Sequence, residues 1–295
     1  MRVSRRLIIL FLLPASALYF IFFLVPTLWA FIYSLFDWRG FGTEMTFIGL
    51  DNYAELLGDR LFWRSMGNTV LILLVGGVIV FGLAFIMTMM ISSGIRGRKL
   101  FRAVIFMPNV IAVIALTTLW GYIYTPRFGL LGAFFDLIGL EDMANFTWLG
   151  PDTIFWSMLV AIIWIEVGFY LVLLLAGVDK IPTDYYEAAK LDGASQIQMF
   201  RKITVPLLWD VITVGLVLWS IYAVKIFEFP FSFTGLEPNV NSYTVSLYMY
   251  ILGFGQRQPI YRLGYATAIG VTLLGVVIVI VLVLRRFMRR EQLEF

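Results

Sequence analysis

The chain has 295 residues, 61% hydrophobic and only 14% charged, with a formal net charge of +3 and a mean hydropathy of +0.89. A soluble domain averages about a quarter charged residues, so one water-facing core of this composition is excluded and lipid is the expected solvent. Cys and His are absent, which removes thiol nucleophiles, disulfides, imidazole bases and the usual zinc ligands, and no metal site is expected.

A spanning helix needs about 20 predominantly apolar residues. Six stretches meet this, at 7–35, 66–92, 102–124, 154–177, 207–231 and 264–284. In the first, Arg2, Arg5 and Arg6 followed by Ala15-Ser16-Ala17 imitate a secretory signal, but the apolar run continues to Phe36 and predicts a retained span. Pro14 and Pro26 predict that this helix is kinked or broken. Lys and Arg alternate strongly between the two sides. Fifteen fall in the N-terminal tail, the 93–102 and 178–206 loops and the C-terminal tail, including Arg285, Arg286, Arg289 and Arg290. The other side holds six: Arg39, Arg60, Arg64, Arg127, Arg257 and Arg262. The positive-inside rule then puts both termini and the 178–206 loop in the cytoplasm. The expected fold is all-α, one polytopic membrane domain over 1–295, with loops at 37–65, 125–153 and 232–263 on the outer side.

Within the cytoplasmic side, YYEAAKLDGASQIQMFRKITVPLL at 185–208 is charged and rich in cap signals. Asp184 precedes Glu187 by three, and Ser195 precedes Gln198 by three, each the spacing of a capping box. Gly193 between them suits a left-handed helix end, and Pro206 restricts entry into the next span. Two short helices with a corner at Gly193 are therefore expected between the fourth and fifth spans. Physical chemistry leaves two readings of them: an amphipathic loop resting on its own helices or on headgroups, or a pair that docks into a groove on a partner.

Glu187-Ala188-Ala189, then Asp192-Gly193-Ala194, Ile203 and Pro206, resembles the EAA motif of permease subunits in binding-protein-dependent ABC importers, within a loop at 183–206. Val205 stands where that motif usually has Leu, and Trp209 where sugar-importer versions commonly have another proline. Similarity to the maltose-type sugar permeases extends along the chain. It includes FIGLDNYAELLGDRLFWRSMGNT at 47–69, FGLLGAFFDLIGL at 128–140, Trp148-Leu149-Gly150, and Lys225 to Glu228 with Thr234-Gly235. Glu228 replaces the family's Asp there, and Leu236-Glu237 replace two glycines before Pro238.

The resemblance implies a membrane subunit that translocates a carbohydrate delivered by an extracytoplasmic solute-binding protein, in a prokaryotic cytoplasmic (inner) membrane. It implies a second, related permease and two ATPase subunits that use ATP and Mg, with the 183–206 loop seated in the ATPase. The chain itself binds no cofactor on this reading, is not an enzyme, and has no nucleic-acid partner. The residues agree: a phosphate-cradling loop needs Gly before its Lys, and the five lysines follow Arg98, Asp179, Ala189, Arg201 and Val224. Glycerol phosphate or a polyol is the alternative cargo, and an ion-coupled secondary transporter the alternative class. Candidate substrate-path residues within spans are Asn109, Trp164, Glu166, Tyr170, Trp219 and Tyr222. Trp120, Tyr122 and Tyr124 read instead as an interfacial aromatic belt. Glu166 lies 12 residues after Ile154, so helical rise puts it about 18 Å into the bilayer. Such a carboxylate either borders a cavity or is structural, protonated or paired with Lys225.

Overall fold

A computed structural model describes residues 5–42, 44–235, 238–255 and 260–288, with side chains from residue 10 onward. Arg2, Arg257, Arg289, Arg290 and the Leu236-Glu237 pair, used above, lie outside the described residues. The expected polytopic helical fold is present: four helices are long and apolar enough to span, or six when each of two bent pairs counts as one span.

Helix α1 (Leu10–Tyr33) is continuous, so of the expected kinked or broken helix the break is absent. A wide π-type turn at Phe20–Leu24 directly precedes Val25–Tyr33, whose first turn holds Pro26. The extra residue in that turn accommodates the missing N–H and the ring. An antiparallel hairpin follows, β1 (Phe36–Trp38) against β2 (Met45–Phe47), then α2 (Asp51–Gly58). Helix α3 (Arg60–Ser92) contains a second π-type turn at Ile72–Gly76. The expected third span is instead two helices, α4 (Arg98–Val110) and α5 (Val113–Ile123), bent by 101°. After α6 (Leu130–Leu137) come α7 (Ile154–Val178) and α8 (Thr183–Leu191). Helices α9 (Gln196–Leu207) and α10 (Trp209–Lys225) meet at 71°, two residues past Pro206. The fifth span therefore ends at Lys225 and not at 231, and α11 (Glu228–Thr234) follows as a separate helix. Helices α12 (Val245–Phe254) and α13 (Leu263–Met288) complete the order.

The described residues pack as two units, Met1–Phe62 with Tyr248–Gly275, and Trp63–Leu247 with Val276–Phe295. In the first, Asp59 is the organiser. One carboxylate oxygen accepts the backbone N–H groups of Leu61 (2.8 Å) and Phe62 (3.2 Å), capping α3. The other accepts the hydroxyls of Tyr248 (2.6 Å) and Tyr265 (2.7 Å). Arg262 pairs in two-pronged fashion with Glu55 and lies over the Tyr265 ring.

The second unit is built around α7, which is apolar on every side and accordingly buried over most of its length. Its small residues let neighbours approach closely. A Cβ at Gly177 would lie 2.6 Å from Leu208, and one at Gly168 would lie 2.3 Å from the Ile105 carbonyl oxygen. Tyr124, expected in an interfacial belt, is instead buried and donates to the Ser157 carbonyl at 2.9 Å, while Tyr122 remains exposed.

Candidate functional site

Two interruptions of the helical backbone converge on one space. At Ile111 and Ala112 the chain is extended between α4 and α5, just after Pro108 ends the helical ladder in a 3₁₀ turn. At Ile226 and Phe227 it leaves helical geometry between α10 and α11. Non-helical backbone at membrane depth is tolerated where protein or an aqueous cavity satisfies it. Protein supplies such partners at the second break. The Ile226 carbonyl accepts the hydroxyl of the buried Thr244 at 3.0 Å, and the Val224 carbonyl accepts the Ser246 hydroxyl at 3.3 Å. The segments beyond the breaks are tied together by the Thr117 and Ser232 hydroxyls, 2.7 Å apart.

The space between the breaks is a cavity of about 370 Å³, lined by Pro108, Ile111 and Val113 on one side and Ile226, Phe227 and Phe229 on the other. Its polar groups are Asn109, Glu166, Tyr222, Lys225 and Glu228. Asn109 donates its amide to the Ile165 carbonyl at 2.7 Å. Among the described residues no ion pair joins Lys225 to Glu166, although both line the cavity. Axial rise along two helices gives depth but not facing direction, so the sequence left pairing with Lys225 as one open reading of Glu166.

Of the six candidate substrate-path residues, Asn109, Glu166 and Tyr222 line this cavity. Tyr170 and Trp219 do not. Both are buried behind its wall, Tyr170 between the Phe81 ring (4.8 Å) and Trp219 (5.8 Å), and Trp219 with its indole N–H on the Leu73 carbonyl at 2.8 Å. Trp164 lies elsewhere, edge-on to Trp120 at 5.6 Å. Lys225 and Glu228 belong to the wall and were not among the six. Their signal in the sequence was two opposite charges flanking an apolar dipeptide at the end of a span.

The loop at 183–206 folds as two short helices around Gly193, which has φ +76°. The Ser195 box forms as expected: the Ser195 N–H donates to the Gln198 side chain at 2.7 Å, and the Gln198 N–H donates to the Ser195 hydroxyl at 3.3 Å. The Asp184 box does not form. Pro182 holds the cap position of α8 and Asp184 falls in the first turn, where its charge meets the helix dipole without capping an N–H. Thr183, Glu187 and Lys190 face a cavity of about 240 Å³ shared with Met89 and Ser92 of α3. The Tyr186 hydroxyl meets that of Thr204 at 2.9 Å, which ties the two short helices together, and Tyr186 and Val205 pack against the buried core of the membrane helices. Ala188, Asp192 and Gly193 are exposed, and Ala189, Ala194, Ile203 and Pro206 partly so. Leu191 and Ile197, at 90% and 67% exposure, offer apolar anchors outward.

This architecture has known counterparts. Residues 80–292 match the family described as "Binding-protein-dependent transport system inner membrane component". The chain is 34% identical over 288 residues to the probable ABC transporter permease protein YurN of Bacillus subtilis, covering 97% of each. It is 33% identical to the trehalose/maltose transport system permease protein MalF of Thermococcus litoralis, over 81% of this chain and 80% of that one. A solved bacterial alginate ABC transporter, in complex with an alginate pentasaccharide-bound periplasmic protein, contains a chain with TM-score 0.81 and 25% identity, covering 97% of this chain and 95% of that chain. A membrane-spanning helical fold, a polar cavity at two helix breaks and a 183–206 loop with exposed anchors thus coincide with sequence similarity along nearly the whole chain, and the chain belongs to the family of binding-protein-dependent transport system inner membrane components, as an ABC importer permease subunit.

Proposed function

We propose that this permease forms half of a carbohydrate pathway across a prokaryotic cytoplasmic membrane, with a second permease, two ATPase subunits that use ATP and Mg, and an external solute-binding protein. The observation that carries this reading is the convergence of two helix breaks on a cavity lined by an amide, a phenol, two carboxylates and an ammonium. Such groups exchange hydrogen bonds with sugar hydroxyls, while Ile111, Val113 and Phe229 supply apolar faces for C–H surfaces. The 183–206 loop, through Glu187, Ala188, Ala189, Asp192, Gly193, Ala194, Ile203 and Pro206, is the element that meets the ATPase. Co-purification of the tagged chain with an ATPase subunit and uptake of labelled maltose or trehalose by the assembled importer test the reading. Uptake of glycerol phosphate or a polyol in place of these sugars would reassign the cargo.

Gly193→Pro tests the loop. Proline fixes φ near about −65°, whereas residue 193 sits at +76° and donates its N–H to the Lys190 carbonyl at 3.0 Å. The expected result is normal membrane insertion with lost ATPase co-purification and lost uptake; full uptake would remove the loop from the coupling role. Glu166 tests the cavity. Glu166→Gln keeps the shape and hydrogen-bonding capacity of the side chain without its charge, whereas Glu166→Leu removes both and is expected to raise the KM for uptake about tenfold with assembly intact. Unchanged uptake kinetics in both variants would exclude Glu166 from the pathway.

A further inference from the structure

Helix α4 runs antiparallel to α7 and touches it in three built places. At its start, two guanidinium nitrogens of Arg102 donate to the Asp179 carboxylate at 3.1 and 3.2 Å. In its middle, the Ile105 carbonyl fits against Gly168, where a Cβ would intrude to 2.3 Å. At its end, the Asn109 amide holds the Ile165 carbonyl at 2.7 Å. No residue of Arg98–Phe106 is buried, so these contacts define how that part of the helix lies.

The two ends of α4 have different neighbours. Asp179 caps α7 only four residues before α8 begins at Thr183. Asn109 stands two residues before the Ile111 break and lines the cavity. A helical segment seated at both ends therefore joins the root of the 183–206 loop to the cavity wall by a path other than α7 itself. We propose that Arg102, Gly168 and Asn109 are positioning residues of the transport cycle, seating α4 as a lever through which movement of the 183–206 loop reaches the Ile111–Ala112 break. The lever rests on the coupling function proposed above, and it explains a pairing that stability alone does not demand, since half-exposed ion pairs contribute little to folding. It also accounts for a glycine in the interior of a buried helix, where alanine would otherwise be favoured. A physical connection of this kind counts as coupling only when both ends are shown to move together.

The natural lack of Cys allows one reporter. Ile221→Cys, in the cavity wall, is labelled with N-ethylmaleimide in the complete importer, in detergent, before and after trapping with ATP, Mg and vanadate. In the otherwise unchanged chain trapping alters the labelling rate. In Arg102→Gln and in Gly168→Ala the importer is expected to assemble and trap nucleotide normally, while the change in rate shrinks about threefold or more. Exchanging the pair, Arg102→Asp with Asp179→Arg, is expected to restore it. The exchange also suits both helix dipoles, placing a cation at the end of α7 and an anion near the start of α4. Loss of ATPase or trapping in the variants would mark a merely structural role and overturn the lever. So would an undiminished response in Arg102→Gln, or a response lost there and not restored by the exchange. Should Gly168→Ala fail to assemble, Arg102→Gln and the exchanged pair decide alone. A reporter in the unchanged chain that ignores trapping would instead remove the coupling function, and the lever with it.

Discussion

Replacing Trp219 by alanine is expected to destabilise the second unit by about 3–5 kcal/mol, the usual cost of emptying a buried aromatic site. Trp219 is 2% exposed, the largest of the fully buried side chains. Its ring lies on the Gly76-Gly77 pair so closely that a Cβ at Gly77 would sit 2.5 Å from the indole nitrogen. Its N–H takes the Leu73 carbonyl at 2.8 Å, in the π-type turn of α3 where the regular ladder is interrupted. Trp219→Phe keeps most of the packing but leaves that carbonyl without its donor, for about 1–3 kcal/mol. Thermal unfolding of the purified subunit, followed by the fraction remaining monodisperse, measures both. The ordering alanine worse than phenylalanine, with KM for uptake unchanged in whatever material survives, identifies Trp219 as a clasp between α3 and α10. A raised KM at wild-type thermal stability would return it to the substrate path.

Trp219 also shows where reading from the chain stopped. An aromatic residue within a span is equally good as packing or as a sugar platform until its neighbours are known, and those neighbours lie on α3 and α7. The spans themselves were legible because about 20 apolar residues are demanded by bilayer thickness. The Ser195 box was legible because it closes over three residues. The breaks were not. Ile111, Ala112, Ile226 and Phe227 are apolar and contain no glycine or proline, so hydropathy reads straight through them. Only Pro108 hinted at the first, and the second is held open by Thr244 and Ser246 from beyond the next helix. Pro26 produced no break, and a wide turn lies directly before it. Asp184 misled because Pro182 had already set where α8 begins.

Asp59 carries the other large effect, and its contacts were invisible in the sequence because Tyr248 and Tyr265 are 189 and 206 positions away. Burial alone would raise its carboxyl, but the two tyrosine hydroxyls and the N–H groups of Phe62 and Leu61 together outweigh burial and hold it below the ordinary value of 3.8. Hydrogen bonds to a charged group are worth about 1.5–3 kcal/mol each in favourable settings. Asp59→Asn turns one of its two acceptor atoms into a donor facing donors, so a loss of about 2–3 kcal/mol is expected. The sign of the pH dependence follows from the lowered value. The stabilisation is fully present above pH 3.8, the unfolded value, and disappears as pH falls through the lower folded value. Thermal unfolding of the native subunit and Asp59→Asn should therefore differ by a constant margin from pH 7 to pH 5. That margin should narrow only below about pH 4, as protonation removes from Asp59 the charge that the amide never had. A gap that closes already between pH 7 and pH 5 would mean that some other group, not Asp59, supplies the pH-dependent part of the stability of the first unit.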